Sequence, residues 1–316
     1  TVANGTTYQF NVKETDVAGN TSAATSNFTV TGDTTAPTVS SVSISSASGV
    51  QNSLLNAGDV VSVSATFSEN VTKTGSPQLV LNVGGTNRTA TYASGSGGTS
   101  LVFQYTIQAG ESDADGISIG ANALALNSGT IRDVAGNNAT LTHSAVSANA
   151  SYKVDTTAPT AVWSAATDNV GVVTGSLTSG DSTDDTALVL SGTNESGSSV
   201  NVYNGTTLLG AATVSGTGWS YTATVANGTT YQFNVKATDL AGKTSAATSN
   251  FTVTGDTTSP TVRSVDILSA LGIQSDLLNN GDVLSVTVTF SEVVLVTPTP
   301  QLTLVVGGTN RTATYT

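Results

Sequence analysis

Apolar and polar residues alternate along short runs, and the runs are bounded by Gly, Asn and Asp. In "DVVSVSATFSE" (59–69), Val61, Val63, Ala65 and Phe67 share one side. That is the period of two of a half-buried strand. Between 155 and 255 the pattern predicts seven strands: "TAVWS" (160–164), "ALVLSG" (187–192), "SVNVY" (199–203), "TTLLGAATV", "WSYTATV", "YQFNVKATD" and "TSNFTVTG". Asn204-Gly205 and Asn227-Gly228 supply hairpin turns. Tyr231, Phe233 and Val235 are expected inward, with Gln232, Asn234 and Lys236 outward. Seven strands in about 100 residues describe an immunoglobulin-like sandwich. Tyr231 suits either a tyrosine corner or plain core packing. Residues 33–154 show the same rhythm with longer loops, adding "PQLVLNV", "RTATY", "SLVFQYTIQ", "ALALNSGTIR" and a final strand "AVSANASYKV".

The pattern then returns. Residues 1–93 align with 224–316 at a constant offset of 223, and 70 of the 93 pairs are identical. Buried-face exchanges stay apolar (Val61 to Leu284, Ala65 to Val288), whereas outward Ser64 becomes Thr287. "DTTAPT" at Asp33 and Asp155, and "DTTSPT" at Asp256, read as short extended linkers. They divide the repeat into 33–154 and 155–255. Residues 1–32 then correspond to the last two strands of the shorter module, and 256–316 to the first half of the longer. The expected architecture is all-β: tandem immunoglobulin-like sandwiches of two alternating types in an elongated rod, continuing in both directions.

Composition agrees. Charged residues are 9% and aromatics 5%, Met and Cys are absent, and Thr, Val, Gly and Asn dominate. Strand and turn formers thus outnumber helix formers. The net charge of −12 argues against nucleic acid and anionic membrane as partners, and no apolar run is long enough to span a bilayer. A secreted domain without disulfides needs a sufficient core or a metal; a cytosolic chain lacking Cys is the alternative.

Counting antiparallel strands places acidic residues at the joints. Asp133 of "DVAGN" and Glu69 should approach Asp33; Asp239 of "DLAGK" and Glu195 should approach Asp155. Asp168, Asp181, Asp184 and Asp185 should face Asp256, while Asp59, Glu111, Asp113 and Asp115 face Asp155. Gathered carboxylates repel, and a bound cation turns repulsion into a bridge. Ca²⁺, with six to eight oxygen ligands, suits such irregular sites. "ESDADG" (111–116) spaces carboxylates like the opening of a calcium loop but lacks the later Glu, so a loop site and a simple acidic turn both remain open.

At "DTTAPT", "TDDT", "LSGTNESGSSVNVYNGTTLLGAATVSGTGWSYTATV" and "ATDLAGKTSAAT", the chain resembles the bacterial immunoglobulin-like repeats of giant surface adhesins, of the biofilm-associated and repeats-in-toxin types exported by type I secretion. The resemblance covers essentially the whole chain. It implies an extender holding an adhesive tip away from the cell, with calcium stiffening the joints. It carries ligand roles onto Asp33, Asp155 and Asp256 in the linkers, onto Asp16, Asp133 and Asp239 in the D-x-A-G loops, with Asn137 at the loop's end, and onto Asp184 and Asp185. Lys243 departs from Asn20 and Asn137, and an ammonium cannot ligate calcium.

No catalytic constellation stands out. The one His, His143, reads as a surface residue, and zinc or thiol chemistry has no ligand set. The first reading is a non-enzymatic extender on the bacterial cell surface, its partners the neighbouring repeats of the same chain. The second is a fibre, sheath or surface layer assembled by lateral self-association. The third is a carbohydrate-binding accessory, for which Trp163 and Trp219 read as core instead of platform.

Overall fold

The alternating runs become β-ladders. The computed structural model describes residues 1–297 and 299–316, and every regular element among them is a strand. No helix among the described residues is long and apolar enough to cross a membrane. The chain divides into two compact units.

The first unit comprises Thr1–Ala165, Leu190–Tyr221 and Gln232–Asn250. Its largest sheet has six strands in the order Leu124–Ala125, Gln78–Val83, Thr86–Ser94, Ser100–Thr106, Val60–Phe67 and Val39–Ala47. Period-two alternation gives this sheet one apolar face. Val61, Val63 and Ala65 are fully buried and Phe67 nearly so, packed with Leu79, Leu81, Leu101 and Phe103. Fully burying such a side chain stabilises the fold by about 1.5–3 kcal/mol.

A three-stranded sheet joins Ser112–Asp113, Lys153–Asp155 and Leu54–Leu55, and Thr130–Arg132 pairs with Thr72–Thr74. Two expectations change here. "ALALNSGTIR" is not one strand, because Asn127 and Ser128 adopt positive φ and split it. The segment 145–154 keeps only Lys153–Asp155 as strand, paired antiparallel to Ser112–Asp113 and parallel to Leu54–Leu55.

Within the same unit, Ser199–Asn204 pairs with Thr207–Ala211 and, antiparallel, with residues 233–238. Phe233 and Val235 are fully buried, as the alternation predicts. Asn234 is not outward. It is 3% exposed, and its Nδ2 donates to Gly205 O and Asn250 Oδ1. The segment leading to Asn250 covers that face.

Thr7–Phe10 and Phe28–Thr31 form a two-stranded ladder whose Phe10 and Phe28 are exposed.

The second unit comprises Ala166–Val189, Thr222–Tyr231 and Phe251–Thr316. Ser182–Thr183 runs parallel to Phe251–Gly255, and Thr167–Asp168 pairs with Gly175–Ser176. Tyr231 acts as a corner: its hydroxyl accepts from Ala226 N–H at 3.0 Å. Farther along, Val262–Leu271 pairs with Val283–Phe290, and Gln301–Val306 with Thr309–Thr314.

Candidate metal centre

Two local motifs position the acidic groups. In each linker the Asp carboxylate folds onto its own backbone, accepting the N–H two residues on: Thr35 on Asp33, Thr157 on Asp155 and Thr258 on Asp256. These are Asx turns, which hold the side chain beside the extended Thr-Thr segment.

The D-x-A-G loops share one backbone. Asp133 N–H donates to Asn137 O and Gly136 N–H donates back to Asp133 O, with Gly136 at a φ of 97° that suits Gly. Asn137 N–H donates to Asp133 Oδ1 and Asn137 Nδ2 to Asp133 Oδ2, both at 2.8 Å. Asp16 and Asn20 repeat the arrangement, and Asn20 foremost holds the Asp16 carboxyl below its ordinary range. In the third loop Lys243 keeps the backbone bond to Asp239 Oδ1 but has no side-chain amide. Asp239 Oδ2 is consequently left buried without a hydrogen-bond partner.

The structure brings Asp33, Glu69 and Asp133 together, with one carboxylate oxygen from each within 4.8 Å of the others. The linker reaches this place because Thr38 N–H donates to Ser68 Oγ, Ser68 N–H donates to Thr38 O, and Thr140 N–H donates to Pro37 O. Those bonds pin it between the end of strand Val60–Phe67 and the loop after Thr130–Arg132. Burial pushes the Glu69 carboxyl up, and the charges of Asp33 and Asp133 push it further. Burial works upward on Asp133 too, but hydrogen bonds from Asn137, Gly136 and Ala135 outweigh it and hold its carboxyl low. Three hard oxygen donors without His or Cys suit Ca²⁺ over zinc. The Asn137 amide faces the same place as a donor, reaching Asp33 O at 3.3 Å and Thr35 O at 3.4 Å.

The other expected groups do not assemble to that distance among the described residues. Asp155 serves its Asx turn and Glu195 is exposed. Glu111 is 5% exposed and occupied: it accepts from Tyr105 Oη and Gln108 N–H and pairs with Arg88 Nε at 2.5 Å. Asp113 accepts from Gly84 and Gly116 N–H, and Asp115 is exposed. The Glu111 and Asp113 carboxylates of "ESDADG" thus carry hydrogen bonds that hold this turn. Asp168 accepts from Thr183 Oγ1 and Val170 N–H, and Asp185 from Ala187 and Asn169 N–H. Asp184 lies against Gly171, and Asp256 N–H donates to Thr183 O. These carboxylates organise their own loops. His143 likewise ties loops together, accepting from Ala123 N–H at Nε2.

Sequence reasoning missed Arg88 and Tyr105 as partners of Glu111, and missed Gln51 and Asn52, described below. Asn52-Ser53, polar and directly before Leu54-Leu55, was the available signal for a two-residue turn.

The sheets and these turn-bound carboxylates define an all-β protein of immunoglobulin-like design. Residues 156–257 match the family model of the bacterial Ig-like domain, so this segment has a bacterial Ig-like fold. Exoglucanase B of Cellulomonas fimi is 32% identical over 265 residues; the match takes in 80% of this chain but only 20% of that protein. Among solved structures, the fibronectin(III)-like modules of Clostridium thermocellum CbhA share 15% identity, covering 68% of this chain and 94% of that one, at a TM-score of 0.31. The Bacteroides ovatus protein SGBP-B, solved with a mixed-linkage heptasaccharide, shares 15% identity over 84% of this chain and 56% of its own, at a TM-score of 0.18.

Proposed function

We propose that this chain is a non-enzymatic extender segment of a secreted bacterial surface protein, of the adhesin kind, in which calcium stiffens the Asp33 joint. The approach of Asp33, Glu69 and Asp133 carries this reading. It places one carboxylate on the linker, one at a strand end and one on a loop, so a single ion there would tie three segments. A buried carboxylate oxygen without a hydrogen-bond partner at Glu292, the repeat of Glu69, adds to it.

The test uses the absence of native Cys. Spin labels on cysteines placed at Thr29 and Thr86 of the full chain report the distance across Asp33. Calcium should narrow its distribution and a chelator broaden it; no response to calcium would refute the reading.

The likeness to a glucanase supports a second setting, a carbohydrate-binding accessory of an extracellular glycan-acting protein. Binding of the chain to insoluble β-glucan would favour it, and no binding would favour the adhesin setting.

A further inference from the structure

The three D-x-A-G loops share a backbone but not surroundings. A Cβ built on Gly19 or Gly136 would meet nothing within 4 Å, whereas on Gly242 it would lie 2.5 Å from Gln51 Oε1 and 2.6 Å from Nε2. Gln51 belongs to a hairpin tip. Gln51 and Leu54 exchange backbone hydrogen bonds of 2.9 and 2.8 Å around Asn52 and Ser53, whose φ angles are 50° and 65°. This two-residue turn with positive φ matches the strand twist. From its apex Asn52 Nδ2 donates to Leu240 O at 2.9 Å, inside the D-x-A-G loop.

The tip is itself well anchored. Leu54–Leu55 runs parallel to Lys153–Val154, and Lys153 N–H donates to Ser53 O at 3.0 Å. Thr156, next in the linker, is 7% exposed; it donates to Glu111 O and accepts from Gly110 N–H. The same turn recurs at Gln274–Leu277, with Ser275 and Asp276 at φ 51° and 64°. Its shape therefore belongs to the repeat.

We propose that the Gln51–Asn52 tip is a docking element that fixes the Asp239–Lys243 loop of the following segment without a metal ion. The two kinds of linker are then set by different chemistry: direct polar contact at Asp155 and, resting on the function proposed above, a divalent ion at Asp33. The loss of the Asn side chain at Lys243 fits this division. A loop held by Gln51 and Asn52 has no need of the amide that orients Asp133.

The experiment adds a second label pair, at Thr86 and Thr207 of the full chain, measured by pulsed dipolar spectroscopy in calcium and in chelator. Wild type should give one narrow distance in both. Gln51→Ala combined with Asn52→Gly, which keeps the left-handed turn and removes both amides, should lose it in both. Asn52→Asp, which turns the donor into an acceptor facing a carbonyl, should do the same with the turn intact. A narrow distance retained in both variants, or a wild-type distance that narrows only with calcium, would overturn the proposal. The Thr29–Thr86 pair reads the calcium joint separately, so either idea can fail alone.

Discussion

Asn137 donates its side-chain amide to Asp133 Oδ2 at 2.8 Å while its backbone N–H holds Oδ1 of the same carboxylate. The grip sets the direction in which Asp133 faces Asp33 and Glu69. A supporting group of this kind typically changes metal affinity by about 10–100-fold. Asn137→Ala should therefore weaken calcium binding about tenfold or more, read by titration calorimetry. An unchanged affinity would mean that the backbone bond alone suffices.

Glu69 faces two like charges. Glu69→Gln should raise the melting temperature in chelator, because one repelling charge is gone, and should abolish the rise that calcium produces. Differential scanning calorimetry with and without calcium reads both signs. A variant less stable than wild type in chelator would show that the carboxylate has a partner of its own.

Acid acts on the same group. Glu69 has a raised carboxyl in the folded state, so protonation favours folding. That contribution is present below the unfolded value and is lost as pH rises through the folded one. Metal binding needs the ionised form. The calcium-dependent gain in melting temperature should shrink as pH falls through the raised Glu69 value, and a gain independent of pH there would contradict the assignment.

Tyr105 donates to Glu111 Oε1 at 2.5 Å beside Arg88. Burial, then this hydrogen bond and the Glu111 charge, push its hydroxyl up to about 12 from 10.0. Its contribution is complete below the unfolded value and is lost as pH rises through the folded one. Tyr105→Phe should cost about 1.5–3 kcal/mol, as expected for a hydrogen bond to a charged group. Denaturant midpoints measure it, and tyrosinate absorbance should show one late-titrating tyrosine that the variant lacks.

Phe10 and Phe233 occupy the same place in the repeat, yet Phe10 is 55% exposed and Phe233 fully buried. Phe233→Ala should destabilise by about 3–5 kcal/mol through lost burial and a cavity. Phe10→Ala should stay within about 0.5 kcal/mol. Comparable losses at both would mean that Phe10 is covered in solution.

That pair also marks what can be read from a sequence. Strand faces at Val61–Phe67 and Phe233–Val235 were legible because alternation is a local property of a pleated sheet. Burial itself depends also on which strands lie opposite. Asn234 misled for that reason: alternation pointed it outward, and a distant segment ending at Asn250 covers it. The approach of Asp33, Glu69 and Asp133 followed from strand counting and the shared D-x-A-G loops. The partners of Glu111 and Asp113 were not legible, because charge spacing alone does not reveal that Arg88, Tyr105 and Gly84 bond their oxygens.

The divalent ion proposed between Asp33, Glu69 and Asp133 is open to direct observation. Crystals of the full chain grown in calcium should give an anomalous peak about 2.3–2.6 Å from an oxygen of each residue. No peak there, with the three carboxylates turned apart into solvent, would contradict it.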